Sequence, residues 1–455
     1  MKFLRIFSLI SIFFFIVSIL YGALLRHYYL TLYEDAVSNK YPNISKYAVF
    51  FAEIPTNIKT LFTDINSLDR PNKLQKHKNK SRLKFYNESK FKNGELILLS
   101  RYDGDLEKSI VEIIDISTFK VLHTYSPDFK KLLDPIDKSL DQFSNILIED
   151  SPIRFIMRHP LLLEDGSLIF DSDYTPIYKI DFCSNLIAYN ESENFHHSKN
   201  FDSDLNFWTS AQLFPFSDTV EKEVDHDYWK WGSFNDDAIV KLDTDLNVLY
   251  KKSVIEILLE NNLETYADIF DHWDPIHLND IEPALFNSKY FEEGDIFLSI
   301  PGQHAILHYR PSTETVIDYI KGEFSGQHDV DIISDKEISI FNNDKTVTHT
   351  SKYSDLLIYN LETKKFTKIL EESLKKDNLK TDTEGLADFF ENGSILIEEH
   401  PHGRAILYDK NGEKIWEFIN KDSKGDTYLL NWSRVIQDKY QIETLNNLIS
   451  QKDCK

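Results

Sequence analysis

From about residue 83 onward, apolar runs of four to six residues alternate with polar turns, several of which are Asp-Gly or Asn-Gly. Runs of this length, bounded by such turns, are typical of β-strands. One pattern recurs six times: an apolar strand, an aliphatic strand that ends in Tyr or Asp, a turn, and an outer strand. The aliphatic strands of the six copies are residues 110–115, 176–181, 238–243, 305–309, 355–359 and 405–409.

A unit that recurs in this way buries its apolar faces only by packing against further copies of itself. Adding the segment that precedes each copy gives four strands to a blade, as in β-propellers. We therefore predict an all-β fold, a six-bladed β-propeller, whose ring is closed when residues 427–436 join the first blade. Two β-sandwich domains are the alternative, although sandwiches do not require one pattern repeated six times.

The N-terminal segment from Leu4 to Leu25 is apolar except for Arg5 and a few small or hydroxyl residues. At about 1.5 Å per residue it is long enough to cross a hydrocarbon core of about 30 Å. No Ala-x-Ala-like cleavage site follows, and the aromatic pair Tyr28-Tyr29 is typical of a membrane interface. The sequence predicts an uncleaved transmembrane helix, with a cleaved signal peptide as the alternative. The flanking positive charges place the body on the extracytoplasmic (periplasmic) side.

These patterns divide the chain into a transmembrane signal anchor at 1–30, a membrane-proximal linker at 31–82, the propeller at 83–437 and a C-terminal tail at 438–455. The two cysteines, Cys183 and Cys454, do not make a disulfide framework. Cys454 lies beside the C-terminus, where chains fray. We expect a frayed tail, while a single long-range bridge stays open.

The formal net charge of -23 limits the partners of this protein. Nucleic acid is excluded because phosphate binding needs a basic face. Peripheral attachment to anionic lipid is disfavoured for the same reason, so the membrane is expected as a partner only through the N-terminal helix.

Polar residues recur at the start of five segments: His159, His197, His277, His328 and Glu384. Because the first strand of each propeller blade lines the central channel, these side chains should meet at one mouth of the axis. Neutral imidazole can act there as a nucleophile, a general base or a metal ligand. A hydrogen bond to backbone at a blade junction is the alternative role, and we favour it for His159 because a proline follows.

The segments Phe195-His-His197, Asp274-Pro-Ile-His277-Leu-Asn279 and Gly326-Gln-His328-Asp, with Asn343 after the next strand, resemble the arylsulfate sulfotransferase family. The resemblance covers roughly residues 155–436. Members of that family are extracytoplasmic six-bladed propellers. They move a sulfuryl group from a phenolic sulfate ester to a phenol through a sulfohistidine, without a nucleotide cofactor.

The resemblance implies roles for individual residues. His328 would be the nucleophile, while His277 and His197 would bind sulfate oxygens and carry the phenol proton. Asn279 would bind substrate. The expected partners are a small aryl sulfate and a phenol, and no cofactor is expected.

One position departs from the family pattern. Where the family has an arginine on the sulfate, this chain has Pro301, which has neither a guanidinium nor an N–H. Arg404, Arg434 or His304 could replace the missing group. If none does, a non-catalytic ligand-binding propeller is the alternative. A third possibility is a metal enzyme, in which the imidazoles hold a first-row metal at the axis.

Overall fold

The computed structural model describes residues 11–25, 47–49, 51–52, 73–87, 94–143, 151–223, 234–263, 273–345, 352–451 and 454. The chain divides into two compact units, Met1–Arg70 and Pro71–Lys455. In the first unit residues 11–25 are helical, and the remainder of the predicted anchor, at 1–10 and 26–30, lies outside the described residues. Within the described ranges, no helix combines the length and apolar character needed to cross a membrane.

The second unit consists mainly of β-strands. They are β1 Leu83–Phe85, β2 Leu96–Asp103, β3 Lys108–Asp115, β4 Val121–Tyr125, β5 Arg158–Leu162, β6 Leu168–Asp171, β7 Thr175–Ile180, β8 Leu186–Phe201, β9 Phe207–Gln212, β10 Asp237–Leu242, β11 Val248–Ser253, β12 Asp280–Pro283, β13 Ile296–Ile300, β14 Ala305–Arg310, β15 Thr315–Ile320, β16 His328–Ser334, β17 Glu337–Asn342, β18 Asp355–Asn360, β19 Lys365–Ile369, β20 Leu386–Phe389, β21 Ile395–Glu399, β22 Arg404–Tyr408, β23 Lys414–Ile419 and β24 Arg434–Ile436.

Short helices lie between some of these strands, and a longer one follows the last strand. The α-helices are Phe129–Leu133, Asp218–Glu223, Val254–Glu260, Glu371–Lys376 and Lys439–Gln451, and the 3-10 turns are Asp141–Phe143, Pro301–Gln303 and His400–His402.

The strands form five antiparallel sheets. Three have four strands, in the orders β12-β13-β14-β15, β16-β17-β18-β19 and β24-β2-β3-β4; a fourth has the order β20-β21-β22-β23-β1, and the fifth contains all seven strands from β5 to β11. In the seven-stranded sheet, β8 pairs with β7 through its residues up to Phe195 and with β9 from Asn194 onward. The prediction of six separate blades was therefore wrong in its count, because β8 runs without a break from the second copy of the strand pattern into the third.

The first strands of the sheets form a propeller-like ring. Strand β5 contacts β8, and the contacts continue from β8 to β12, from β12 to β16, from β16 to β20 and from β20 to β24. The ring closes because β24 pairs with residues 96–98 of β2, which in turn contacts β5. The predicted closing strand is thus confirmed at Arg434–Ile436, and β1 also extends the last sheet by pairing with β23. Apolar side chains pack between neighbouring sheets as the repeated pattern requires.

Carboxylates on the inner strands β12, β16 and β20 each join their sheet to the next inner strand of the ring. They accept hydrogen bonds from backbone N–H groups across the gap: Asp280 from Val330 at 2.8 Å, Asp329 from Ala387 at 2.6 Å, and Asp388 from Val435 at 2.8 Å. A backbone donor buried without an acceptor costs free energy comparable to a lost hydrogen bond. These carboxylates therefore satisfy donors that sheet pairing within one blade leaves unpaired.

The described part of the C-terminal segment, residues 439–451 and 454, packs against the second unit rather than fraying. The helix Lys439–Gln451 buries Ile442 and Leu445 in the core beneath the first two blades, and Cys454 forms a disulfide with Cys183 across 271 residues of sequence. The expectation of a frayed tail was wrong, because an amphipathic helix brings the last cysteine back to the sheet that carries its partner.

The bridge from Asp388 to Val435 makes a testable contribution to stability. We expect Asp388→Leu to lower the free energy of unfolding by about 1–3 kcal/mol, since the N–H of Val435 then lacks an acceptor. Asp388→Asn keeps an acceptor oxygen and should remain closer to the parent protein. Urea unfolding measures both variants, with the exposed Asp204→Leu as control. Equal urea midpoints for Asp388→Leu and the parent protein would show that this hydrogen bond does not contribute to stability.

Candidate active site

The start of each inner segment adopts an unusual backbone conformation. Left-handed φ values occur at His159 (43°), His197 (57°), His277 (52°), Asp329 (53°) and Glu384 (60°). Positive φ is uncommon for residues other than glycine, and it is retained where the surrounding structure enforces it, frequently at functional sites. At β5, β8 and β16 the residue with positive φ lies where the register between the paired strands shifts. The feature that recurs is therefore a bulge in the backbone.

The position of the bulge shows that His328 does not align with the other histidines as the sequence pattern suggested. His328 is the residue before the left-handed Asp329, whereas His159 and His197 are themselves left-handed. In strand register His328 corresponds to Arg158 and His196, which are the last paired residues before the same shift in their own strands. The four histidines are thus not equivalent positions of one repeat, as the sequence suggested.

The four imidazoles nevertheless lie side by side in an arc. The ring centroids are 6.0 Å apart for His159 and His197, 5.5 Å for His197 and His277, and 6.5 Å for His277 and His328. Trp432 stacks on His159 at 4.0 Å and closes one end of the arc. His159 and His328 are buried, while 39% of the His277 side chain is exposed. Solvent therefore reaches the arc at His277.

His277 is the histidine of the arc that is prepared to carry a proton. Its Nδ1 lies 2.5 Å from Oδ2 of Asp274, three residues earlier in sequence. Burial alone would lower the pKa of His277, but the hydrogen bond and charge of Asp274 outweigh burial and raise that pKa above its ordinary value. A protonated His277 can then donate a proton from Nε2 near neutral pH.

His328 has the opposite electrostatic setting. Burial, followed by the positive potential of His277, lowers the pKa of His328 to about 4. Its Nδ1 is 3.0 Å from Oδ1 of Asn343, and its Nε2 accepts the N–H of Glu384 at 3.1 Å. The Asn343 amide is oriented by donating to the carbonyl of Glu384 at 2.8 Å. His328 is therefore a neutral imidazole with its proton on Nδ1 and its lone pair on Nε2.

His197 is also held neutral. Burial, together with the neighbouring His196 and His277, places the pKa of His197 well below its ordinary value. Its Nδ1 lies 2.6 Å from the Nδ1 of His196, so one of these two nitrogens donates to the other. His196 is in turn 3.4 Å from Asp237. The pair leaves Nε2 of His197 for another partner.

The remaining predicted site residues have different positions. Asn279 donates to the carbonyl of Gln327 at 2.9 Å and so holds the chain just before His328. His304 is exposed and accepts the N–H of Gly326 at 3.1 Å, on the outer side of the same segment. Both residues position the loop that carries His328.

Neither predicted replacement arginine offers its guanidinium to the arc. Arg404 is fully buried and pairs with Glu399 at 2.6 Å and Glu417 at 3.3 Å. Arg434 donates to the carbonyls of Pro160 and Lys199 and to the side chain of Asn200, which ties β24 to β5 and β8. Their guanidinium groups are occupied by structural acceptors, which the sequence did not reveal.

A cation that sequence reasoning missed lies beside the arc instead. Arg158 pairs with Glu384 at 2.5 Å and with Asp173 at 2.7 Å. Glu384 is the residue whose N–H contacts His328, and Arg158 is close enough to His197 to help lower the pKa of that ring. The signal available in the sequence was the recurrence of two adjacent residues at each bulge, Arg158-His159, His196-His197 and His328-Asp329.

Metal binding finds no geometric support in this arrangement. Across the described ranges, no group of three or more His, Cys, Asp or Glu side chains is arranged to hold a metal ion. Both nitrogens of His328 and the Nδ1 atoms of His277 and His197 are instead engaged by an amide, a backbone N–H, a carboxylate and a second imidazole. The arrangement suits proton transfer and nucleophilic attack better than ligation.

Comparison with known proteins identifies a family. A family model described as Arylsulfotransferase (ASST) matches residues 160–421. No curated protein matches the sequence. A protein of unknown function from Bacteroides caccae aligns with a TM-score of 0.47 and 11% identity over 76% of this chain and 100% of its own. A catalytically inactive virginiamycin B lyase from Staphylococcus aureus, solved with quinupristin, aligns with a TM-score of 0.37 and 9% identity over 73% of this chain and 87% of its own. These structural likenesses are too weak to support an inference.

The contrast between His277 and His328 can be measured by nuclear magnetic resonance titration of labelled histidines. We expect His277 to titrate above its ordinary range and His328 near pH 4. Asp274→Asn should lower the pKa of His277, because the carboxylate that stabilises the imidazolium is gone. Asp295→Asn, which alters a carboxylate paired with His308 elsewhere, is the matched control. An unchanged His277 titration in Asp274→Asn would contradict the assignment.

Proposed function

This chain belongs to the arylsulfotransferase family, whose model covers more than half of it, and we propose that it moves a sulfuryl group from a phenolic sulfate ester to a phenol through a sulfohistidine at His328. The observation that carries the proposal is the pairing of a neutral imidazole with a protonatable one in a single arc. Their ring centroids are 6.5 Å apart. Covalent transfer needs both groups at one site.

The first half of the reaction breaks the donor ester. Nε2 of His328 attacks sulfur, the bond from sulfur to the aryl oxygen breaks, and that oxygen takes a proton from His277. Asn343 accepts the Nδ1–H of His328 and stabilises the positive charge that develops on the ring. In the second half an acceptor phenol gives its proton back to His277 and attacks sulfur, which releases His328.

Charge that gathers on the sulfuryl oxygens requires donors that are already in position. His197 supplies an Nε2–H when its Nδ1 accepts from His196. A second donor is the N–H of Glu384, which in the free protein occupies the lone pair of His328. The left-handed conformation of Glu384 directs this N–H towards the arc.

Aromatic side chains near the arc fit an aryl substrate. Trp273 is half exposed and directly precedes Asp274, and Tyr174 lies 5.4 Å from the ring of His196. Offset stacking on such rings contributes about 0.5–1.5 kcal/mol beyond the buried area. The specificity of the site would then be for small phenols and their sulfate esters.

The location follows from the same proposal. We also propose that the apolar N-terminal segment anchors the protein and that the ring lies outside the cytoplasm. The Cys183–Cys454 disulfide supports this location, because disulfides persist mainly in oxidising compartments.

A non-catalytic ligand-binding propeller is the second candidate function. Two observations favour it: Pro301 takes the place of the family arginine, and the lone pair of His328 is occupied by a backbone N–H. A ring of this kind would bind aryl sulfates at the arc without cleaving them.

Trapping the intermediate separates the two candidates. Incubation of the purified protein with a nitrophenyl sulfate should add one sulfuryl group to His328, detectable by peptide mass spectrometry, and should release nitrophenol. His328→Ala should lose the adduct and at least about 10⁴-fold in transfer rate. His123→Ala, which removes a histidine stacked on Phe182 at an outer strand, is the control. Absence of adduct and transfer with a broad panel of phenols would favour the binding propeller.

A further inference from the structure

Sulfuryl transfer from this site needs a group that anchors the anionic ester. Pro301 cannot provide one, and the guanidinium groups of Arg404 and Arg434 are engaged elsewhere. Neutral His197 and His328 carry no charge with which to attract the ester. His277 carries a positive charge only until it gives its proton to the leaving oxygen, so a permanent cationic anchor must come from a position outside the family pattern.

Arg158 has the backbone position for this task. It is the last paired residue of β5 before the left-handed bulge, as His328 is in β16. Equivalent positions of a ring direct their side chains towards the same mouth. Arg158 and His328 therefore come from equivalent register positions of two different inner strands.

The contacts of Arg158 resemble the recognition of an anion. Its NH1 lies 2.5 Å from one carboxylate oxygen of Glu384, and its Nε and NH2 lie 2.7 and 2.8 Å from the two oxygens of Asp173. The other oxygen of Glu384 lies 2.9 Å from Nε2 of His400. The carboxylate of Glu384 thus lies between two nitrogen donors, NH1 of Arg158 and Nε2 of His400.

Glu384 also connects this anion position to the nucleophile. Its own N–H is the group that covers Nε2 of His328, while its side chain holds Arg158. A ligand that displaces the carboxylate from Arg158 necessarily acts on the residue that covers the nucleophile. Binding of the anion and release of the lone pair are therefore coupled through one residue.

We propose that Arg158 binds the sulfuryl oxygens of the donor ester, and that Glu384 is its resting partner, which the ester displaces. The inference rests on the proposed function. A planar guanidinium matches two oxygens of a tetrahedral anion in a bidentate manner. Asp173 keeps the guanidinium aligned on its other edge while Glu384 is exchanged. Arg158 would take over the role of the arginine that this chain lacks at Pro301.

Binding of an arylsulfonate, such as toluenesulfonate, tests the anchor without any chemistry, since its carbon–sulfur bond is not cleaved by transfer. Calorimetry should show that the parent protein binds the arylsulfonate and that Arg158→Gln binds it at least about tenfold more weakly. Arg310→Gln is the matched control, because Arg310 also lies between two carboxylates, Glu292 and Asp295, but outside the arc. Equal affinity of Arg158→Gln and the parent protein would overturn the proposal.

The exchange of Glu384 has its own signature. Glu384→Gln keeps the size of the side chain and removes the competing charge, so the arylsulfonate should bind several-fold more tightly. Weaker binding in this variant would instead make Glu384 a structural support of the site and refute its displacement. Should Arg158→Gln fold poorly, Arg158→Ala with added guanidinium ion provides a second measurement, in which restored binding supports the anchor and no restoration opposes it.

The two proposals fail in different ways. If the parent protein binds the sulfonate through Arg158 but forms no adduct on His328, the anchor stands and the transfer mechanism falls. If the parent protein forms the adduct and Arg158→Gln forms it at the same rate and with the same KM, transfer stands and the anchor falls.

Discussion

Closure of the ring is the constraint on which the remainder of this structure depends. Strand β24, from the far end of the sequence, supplies the innermost strand of the sheet that begins with β2. Inner strands of neighbouring sheets are then joined by carboxylates that accept backbone N–H groups, as Asp329 does from Ala387. Burying these carboxylates disfavours their charged form, and burial accordingly raises the pKa of Asp388 to about 6. Arg434 on β24 offsets part of that cost by lying among them.

The ring gathers its inner histidines around a repeated backbone irregularity. Each left-handed bulge turns a segment towards the axis, and the residue types at the bulge differ from sheet to sheet. Identical imidazoles consequently acquire different properties. His277 gains the carboxylate of Asp274, whereas His328 gains the amide of Asn343 and the potential of a neighbouring imidazolium. One imidazole that holds a proton more tightly and one that stays neutral result from the same kind of side chain.

Several particular features could be read from the pattern of residues alone. The recurrence of strands predicted the ring and its closing segment at Arg434–Ile436, because alternation of apolar runs and turns reports which faces must be buried. The gathering of the histidines was also predictable, since first strands of blades share an axis. The exact place of His328 was not, because a one-residue bulge leaves no trace in hydrophobic pattern.

What the sequence determined by itself is the family, the predominance of β-structure, and the residue types available at the axis. Tertiary structure decided the partners. Arg158 and Glu384 are 226 residues apart, and Cys183 and Cys454 are 271 apart, so each pair meets only when the ring has closed. The same closure pairs Arg404 with Glu399 and leaves Arg158 beside the arc of histidines, paired with Glu384. Charge and hydrogen-bond partners depend on distances in space of a few ångströms, and local sequence spacing carries no information about them.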